Sequence, residues 1–186
     1  METYISMLRG INVGGHNMIK MDELKKIYAG LNFKNSQSYI QSGNVIFQYG
    51  KTDPGDLQKK LEKKILAEFG FDIPVLVKSL GELGKVLSAN PFLDRRKEDI
   101  NKLHVTFLSE SSAKILADKV KELQFFPDEF FLAGDVVYLF CPNGYGQTKL
   151  NNNFFENKLK VKATTRNWKT LNELSNIAAS ISANKK

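Results

Sequence analysis

Apolar positions along this chain alternate between helical and strand spacing, and the order β-α-β-β-α-β occurs twice. In the first half, a strand-like opening and a glycine-rich loop precede apolar residues at helical spacing from Met21 to Leu31. Asp53-Pro54 then supplies an N-cap and a first-turn proline for a second helix. The pattern predicts strands at residues 3–8, 36–42, 44–49 and 74–77, with helices after the first and third of them.

The second half repeats this order after a linking segment. Ser79 and Glu82 have the spacing of a capping box for a linking helix, and the charged run 94–99 is typical of an exposed linker. The pattern then predicts a strand at 103–108, a helix at 112–123, a hairpin at 129–141, a short helix at 151–158, a strand at 159–164 and a final helix at 167–180. We expect a first subdomain at 1–78, a linking helix and linker at 79–101, and a second subdomain with a C-terminal helix at 102–186.

A short hairpin motif occurs in both halves. Ser42-Gly43-Asn44 and Ala133-Gly134-Asp135 each precede β-branched and aromatic residues, and their glycines are 91 residues apart. Glycine with Asn or Asp tolerates the positive φ angles of tight turns. With the element order, the motif predicts an α+β fold, an α/β plait of two tandem ferredoxin-like units derived from an internal duplication.

Composition limits the class of protein more than its activity. The 186 residues are 42% hydrophobic and 25% charged, which is ordinary for a globular core. The one cysteine, Cys141, excludes an internal disulfide, and we expect it at a buried strand end. The opening has no leader-like pattern, and no apolar run approaches the roughly 18 residues that cross a bilayer, so we expect a cytoplasmic protein without a membrane partner.

Charge is concentrated in the C-terminal part of the chain. The net charge is +7, and residues 142–186 carry eight Lys or Arg against two Glu. Lys158, Lys160, Lys162 and Arg166 alternate with less polar residues, so on the predicted strand they share one face. Such a face either protects a sheet edge from aggregation or follows the phosphates of a nucleic acid.

The glycine-rich loop at residues 9–17 is the first candidate site. Gly14 and Gly15 allow backbone amides to converge before a helix, and Arg9 adds a cation, which together suit a phosphate or carboxylate. The loop matches neither common nucleotide motif, since a Lys-Ser or Lys-Thr pair and a GxGxxG pattern are absent. An anion site and a purely structural turn therefore both remain open.

Two further segments contain glycine, hydroxyl or basic residues before predicted helices. They are 143–150 and 163–168, and each has a structural alternative as turn or N-cap chemistry, with Trp168 as a core residue. We expect the three segments and the first hairpin to contribute ligand contacts. The predicted ligand-binding residues are Arg9, Asn12, Gly14, Gly15, Ser42, Asn44, Tyr145, Lys149, Thr165, Arg166 and Asn167.

Residues for catalysis are sparse. His16 and His104 are the only histidines; we interpret His104 as a strand residue and His16, in the glycine-rich loop, as the one candidate for general acid or base catalysis. Nothing in the sequence has metal-ligand spacing or indicates a cofactor. The aromatic stripes at Phe47 and Tyr138 lack the basic-Gly-aromatic signature of RNA-binding plaits, which favours a role in the core.

Three stretches resemble the signature sequences of one bacterial family, domain of unknown function 1697. They are Leu8-Arg9-Gly10-Ile11-Asn12-Val13-Gly14-Gly15, Tyr39-Ile40-Gln41-Ser42-Gly43-Asn44-Val45 and Ala163-Thr164-Thr165-Arg166-Asn167-Trp168. The resemblance extends over essentially the whole chain and implies a duplicated ferredoxin-like architecture. It implies no activity, substrate or catalytic residue.

We therefore expect a binding module for a phosphate-bearing ligand, either a nucleotide or a nucleic acid. One alternative is an enzyme that acts on a small phosphorylated or acidic metabolite, with His16 in an enclosed pocket. Another is an interaction protein with no small ligand, in which Arg9 and Arg166 only tie loops together. The sequence leaves the oligomeric state open.

Overall fold

A computed structural model describes the chain at residues 1–96, 98–110 and 114–183. The chain divides into two compact units, Met1–Lys85 together with the C-terminal residues from Glu173 onward, and Val86–Asn172. Each unit is mixed α+β and contains one four-stranded antiparallel sheet. The predicted boundaries after residues 78 and 101 stay a prediction.

The first unit has its elements in the predicted order. They are β1 (Glu2–Leu8), α1 (Met21–Gly30), β2 (Lys34–Tyr39), β3 (Asn44–Tyr49), α2 (Pro54–Phe69) and β4 (Val75–Ser79), followed by α3 (Leu80–Ser88). The strand order is β2-β3-β1-β4, and β1 pairs antiparallel with both of its neighbours. The predicted N-cap of α2 is confirmed, because Asp53 accepts a hydrogen bond from Gly55 N at 2.8 Å. The predicted capping box of α3 is also confirmed, because Ser79 N donates to Glu82 Oε2 at 2.7 Å.

Aromatic rings form much of the core between this sheet and helices α1 and α2. Phe47 on β3 stacks on Phe33 with ring centroids 4.4 Å apart, and it meets the edge of Tyr28 at 5.4 Å. The stripe that contains Phe47 is therefore core, as predicted. Tyr28 is fully buried, and its hydroxyl lies 2.6 Å from Ser6 Oγ.

The second unit repeats the topology. Its elements are α4 (Pro91–Arg96), a 3₁₀ turn (Ile100–Lys102), β5 (Leu103–Leu108), α5 (Lys114–Lys121), β6 (Glu129–Ala133), β7 (Val136–Phe140), a 3₁₀ turn (Tyr145–Gln147), α6 (Asn152–Leu159) and β8 (Ala163–Asn167). The strand order is β6-β7-β5-β8. Helix α7 (Trp168–Ala183) starts in this unit, and its later residues belong to the first.

The helix-facing core of the second sheet contains Leu108, Val137, Leu139, Phe155 and Leu159. Cys141 lies in this core directly after β7, which confirms a buried strand end, and burial raises the pKa of its thiol to about 11. Trp168 is buried, as predicted. Tyr138 is also buried, but it alternates with Val137 and Leu139 and so faces away from these helices, where its hydroxyl donates to Val86 O at 3.0 Å.

The repeated glycine motif forms different turns in the two hairpins. Tyr39 pairs with Asn44 across residues 40–43, whereas Ala133 pairs with Val136 across Gly134 and Asp135 alone. At the matching sheet position, Leu8 N donates to Gly43 O and Leu108 N donates to Asp135 O. Gly43 and Gly134 are thus one residue out of register, and their similarity in sequence is not a similarity in position.

Two predicted strands have the wrong boundaries. The strand predicted at 36–42 is β2 at Lys34–Tyr39, because Ile40 adopts a positive φ of 51° and starts the turn. The strand predicted at 159–164 is β8 at Ala163–Asn167, because α6 continues to Leu159 and ends at Lys160 in the left-handed conformation. The predicted stripe of Lys158, Lys160 and Lys162 on one strand face is therefore wrong.

The linking segment also differs from its prediction. The charged run at 94–99 was predicted to be an exposed linker. Its first residues, 94–96, instead form the end of helix α4. The predicted start of the fifth helix at Ser112 lies outside the described residues, and α5 is described from Lys114. Among the helices at 1–96, 98–110 and 114–183, none has the length and apolarity to span a membrane.

Candidate functional site

The glycine-rich loop of the first unit has a turn at its tip that explains both glycines. Val13 and His16 pair as an isolated bridge, and His16 N donates to Val13 O at 3.0 Å. Gly14 and Gly15 have φ angles of 59° and 78°, so both central residues of the turn are left-handed, as in a type I′ turn. The turn accounts for both glycines without a ligand.

Asn12 holds the base of this loop through its side chain. Its Oδ1 accepts from Ile19 N at 2.8 Å, and its Nδ2 donates to Ile19 O at 2.9 Å and to Gln41 O at 3.0 Å. These contacts join the loop to the turn of the first hairpin. Asn17 adds a bond from Nδ2 to Gly10 O at 3.1 Å. The predicted ligand residue Asn12 is thus occupied with structural bonds.

The hairpin residues Ser42 and Asn44 bond to each other. Asn44 is fully buried, and its Nδ2 donates to Ser42 Oγ at 2.8 Å and to Tyr39 O at 3.4 Å. Both side chains therefore shape the turn at 40–43. Arg9 follows β1 with a partly buried side chain, and its backbone amide donates to Pro74 O at 3.0 Å.

The cavity beside this loop does not suit an anion. It has a volume of about 470 Å³, and its lining includes Asn12, Lys20, Asp22 and Glu23 at the start of α1. Two carboxylates in the first helical turn oppose a bound phosphate there. His16 is exposed and is not among the lining residues, so no observation favours the enclosed His16 pocket that the enzyme alternative requires.

In the second unit, the structure brings Tyr145 and Asn167 together around His104. His104 on β5 is buried, and its ring stacks on Tyr145 with centroids 4.8 Å apart and planes 25° apart. Its Nε2 lies 3.4 Å from Asn167 Nδ2 on β8. The sequence interpretation placed His104 only as a strand residue, because alternation along β5 reveals nothing about its neighbours on other elements.

The other two predicted residues of β8 face opposite sides of the sheet. Thr165 Oγ1 donates to Asn152 Oδ1 at 2.6 Å, so Thr106 Oγ1, 2.7 Å away, must supply the proton of the bond between the two hydroxyls. Arg166 is partly buried, and its Nη1 donates to Thr165 O at 2.9 Å. Burial lowers the pKa of Arg166 to about 10, which leaves it charged at neutral pH.

Lys149 lines a polar cavity of about 430 Å³ in the second unit. The other lining residues are Gln124, Phe125, Phe126, Pro127, Asp128, Asn143 and Gln147. Within the described residues, no hydrogen bond or ion pair occupies the side chains of Asn143, Gln147 and Lys149. The cavity thus combines an aromatic wall, amide groups, one carboxylate and one ammonium group.

Phe126 stands at the rim of this cavity with 95% of its surface exposed. It lies at the tip of a turn in which Asp128 N donates to Phe125 O at 2.9 Å, and its peptide bond to Pro127 is cis. A second cavity of about 550 Å³ shares Phe126 and continues along Phe130 and Phe131. Phe131 on the edge strand β6 is 48% exposed, so the apolar surface continues along that edge.

Of the residues that line the polar cavity, the sequence analysis named Lys149 and placed Asn143 and Gln147 in a candidate segment, but it missed the residues at 124–128. The signal was the segment Phe125-Phe126-Pro127-Asp128, in which Pro-Asp indicates a turn and a turn places an aromatic residue at its tip. The predicted site residues fall into one set in each unit. Within the described residues, no group of three or more His, Cys, Asp or Glu side chains has the arrangement of a metal site.

The fold defines a mixed α+β protein with two four-stranded antiparallel sheets. The model of the family described as protein of unknown function (DUF1697) matches residues 1–138, and the chain belongs to this family. The third signature stretch, at 163–168, lies beyond the matched residues.

A solved structure extends the comparison to almost the whole chain. The conserved bacterial protein SP0830 from Streptococcus pneumoniae is similar with a TM-score of 0.73 and 24% identity, over 95% of this chain and 98% of that chain. This likeness shows the fold alone. No curated protein matches the chain.

Proposed function

We propose that the protein is a nucleotide-binding module of two ferredoxin-like units related by duplication, with the nucleotide in the polar cavity of the second unit. The order β-α-β-β-α-β and the strand order β2-β3-β1-β4, repeated as β6-β7-β5-β8, support the architecture. One observation carries the ligand assignment. The highly exposed Phe126 ring borders the same cavity as Lys149 and three amide side chains.

The aromatic and amide groups suit a nucleobase. An exposed phenylalanine ring interacts only weakly with water, whereas a base stacked on such a ring contributes about 1–3 kcal/mol to the free energy of binding. Gln124, Asn143 and Gln147 each offer both donors and an acceptor, which are the groups that bind a base edge. Phe126 would carry the stack, and the amides would bind the rim of the same base.

The two charged groups suit the remaining parts of a nucleotide. Lys149 supplies a cation for phosphate, and Asp128 supplies an acceptor for ribose hydroxyls, a role that carboxylates have in dinucleotide sites. A volume of about 430 Å³ lies within the range of small-ligand sites.

The same charges favour a mononucleotide over a polymer. The cavity has a single lysine, and Asp128 opposes a chain of phosphates. The lysines at 158, 160 and 162 do not share a strand face, so they give no continuous track for a phosphate backbone. The predicted contribution of Arg9 and the glycine-rich loop is not part of this proposal.

The test is a titration of the purified protein with AMP, GMP, CMP and UMP, and with short single-stranded RNA and DNA, at two salt concentrations. Binding of a mononucleotide that depends weakly on salt supports the proposal. Binding of polymers alone, with a steep salt dependence, replaces it with nucleic-acid binding. Absence of binding to every probe overturns both.

A second candidate is an interaction protein, and the exposed ring of Phe131 beside the apolar cavity favours it. Contiguous apolar surface on a soluble protein is typical of protein interfaces. Sedimentation velocity over a range of concentrations tests self-association at this surface. If the wild-type protein self-associates and Phe131→Ser abolishes that association, the result supports this candidate. If the wild-type protein is a monomer at all concentrations, self-association at this surface is excluded.

A further inference from the structure

We propose that neutral His104 is a positioning residue for the nucleotide cavity, because it holds Tyr145 and thereby the loop 143–149, and that protonation of His104 releases this loop. The inference rests on the proposed function. It assigns a pH response to a binding site that His104 does not itself line.

The hydrogen bonds of Asn167 determine the protonation state of His104. Asn167 Oδ1 accepts from Lys169 N at 2.8 Å at the start of α7, so the amide oxygen is turned toward the helix. Its Nδ2 is consequently the group that lies 3.4 Å from His104 Nε2, and it can only donate. Nε2 must accept, which makes the imidazole neutral with its proton on Nδ1.

Burial also opposes a charge on this ring. His104 is only 8% exposed, and its Nδ1 has no hydrogen-bond partner within the described residues. Burial lowers the pKa of the imidazole below its ordinary value. A proton on Nε2 would point at the amide donor of Asn167, so a protonated ring has to leave its position or displace Asn167.

The Lys102 backbone carbonyl favours a charge on this ring, but burial outweighs it and keeps the pKa of His104 below its ordinary value. The other groups that face the ring are uncharged. Tyr145, a neutral phenol, covers its plane, Asn167 is adjacent on β8, and Leu139 is opposite on β7. The nearest charged residues along these elements, Lys102 and Arg166, are both cations. Protonation therefore places a positive charge in a buried position that has no carboxylate among these neighbours.

The stack on Tyr145 connects His104 to the ligand loop. Tyr145 begins the 3₁₀ turn that ends at Gln147, and Thr148 N donates to Tyr145 O at 3.3 Å. Asn143 and Lys149 flank the same turn, and with Gln147 they form the loop side of the cavity. A displacement of Tyr145 moves all three ligand groups together.

The experiment measures AMP binding and Trp168 fluorescence between pH 5 and pH 8. Trp168 is the only tryptophan, and it follows Asn167 directly, so it reports release of this region without a ligand. The variant His104→Phe keeps an aromatic stack and cannot titrate, and His16→Gln removes the exposed histidine as a matched control. His104→Gln replaces His104→Phe if the larger ring prevents folding.

We expect the dissociation constant of AMP for the wild-type protein and for His16→Gln to rise about tenfold more between pH 7.5 and pH 5 than for His104→Phe. The phosphate of AMP also titrates in this pH range. Dividing each dissociation constant by that of His104→Phe at the same pH removes this effect. A Trp168 transition should accompany the change only where His104 is present. Equal pH profiles in His104→Phe and wild type overturn this inference alone, whereas absence of binding of AMP, GMP, CMP and UMP at every pH overturns the proposed function.

Discussion

Gly43 lies so close to Ile11 that a methyl group at Gly43 would fall 2.7 Å from Ile11 Cδ1, and it would also lie 2.8 Å from Leu8 Cβ. Both neighbours are buried, and Leu8 Cβ is fixed to its backbone. The turn of the first hairpin thus packs directly against the root of the glycine-rich loop. Gly43 is needed here for space as well as for its φ of 72°.

We predict that Gly43→Ala lowers the free energy of unfolding by about 2–4 kcal/mol, the sum of a left-handed alanine and local overpacking. Gly10→Ala is the matched control, because Gly10 has a φ of 68° with open space around its Cα. That variant should cost about 1–2 kcal/mol. Equal losses in urea denaturation would contradict the packing argument.

Tyr28 should stabilise the first unit through Ser6. Ser6 Oγ donates to Val45 O at 2.9 Å, so it must accept the proton of the Tyr28 hydroxyl at 2.6 Å. We predict that Tyr28→Phe costs about 1 kcal/mol, the net value of a hydrogen bond. Tyr39→Phe, which removes a partly buried hydroxyl without such a bond within the described residues, should cost less in the same denaturation experiment. An unchanged free energy of unfolding in Tyr28→Phe would show that this hydrogen bond does not stabilise the protein.

Asn12 should matter for its side chain and for its backbone. Its side chain makes three bonds, and its φ of 55° is in the left-handed region. We predict that Asn12→Ala lowers the free energy of unfolding by about 2–4 kcal/mol and that Asn12→Gly costs about 1 kcal/mol less, because glycine relieves the φ penalty. Limited proteolysis should cut the loop faster in both variants, and unchanged cleavage would contradict the role of Asn12 at its base.

Phe126 should affect binding and leave stability unchanged. Its ring is almost fully exposed, so Phe126→Ala should change the free energy of unfolding by less than about 0.5 kcal/mol. Loss of base stacking should weaken nucleotide binding about tenfold or more. Lys149→Gln should weaken binding of AMP more than that of adenosine, with Lys158→Gln as a control lysine outside the cavity. Equal affinities in Phe126→Ala and wild type would exclude the stacking role.

His104 should make the protein less stable in acid. Its folded-state pKa is below the ordinary value of 6.5, so the unfolded chain takes up the proton first as the pH falls. The contribution of neutral His104 to the free energy of unfolding is therefore present above pH 6.5 and is lost progressively as the pH falls below it. We predict that the melting temperature of wild type falls more between pH 7 and pH 5 than that of His104→Phe. Parallel curves would show that other groups control the acid response.

Much of the fold could be predicted because caps and periodicity are local. Asp53, Ser79 and Glu82 satisfy backbone amides within three residues of themselves, so the sequence alone contains the whole interaction. The boundaries of β2 and β8 were mispredicted because Ile40 and Lys160 adopt left-handed backbones, which neither residue type favours. Only the surrounding structure imposes these conformations.

The candidate site was harder to predict because polar side chains look alike in sequence whether they bind a ligand or the protein. Asn12 and Asn143 both lie in loops that contain glycine, yet Asn12 makes three internal bonds and Asn143 lines a cavity. The meeting of His104 with Asn167 depends on the pairing of β5 with β8, which no local pattern specifies. Lys149 was identified by its charge, and Phe126 was missed because it lies between the predicted helix at 112–123 and the predicted hairpin at 129–141, in a segment to which no role was assigned.

The buried cysteine has a practical consequence for experiments on this protein. Because the thiolate is the reactive form, a pKa of about 11 in a fully buried position makes Cys141 almost inert to maleimides at neutral pH. A cysteine introduced at an exposed position such as Lys158 would then be the one rapidly labelled thiol. A fluorophore can be attached at a chosen site while the native core residue stays in place.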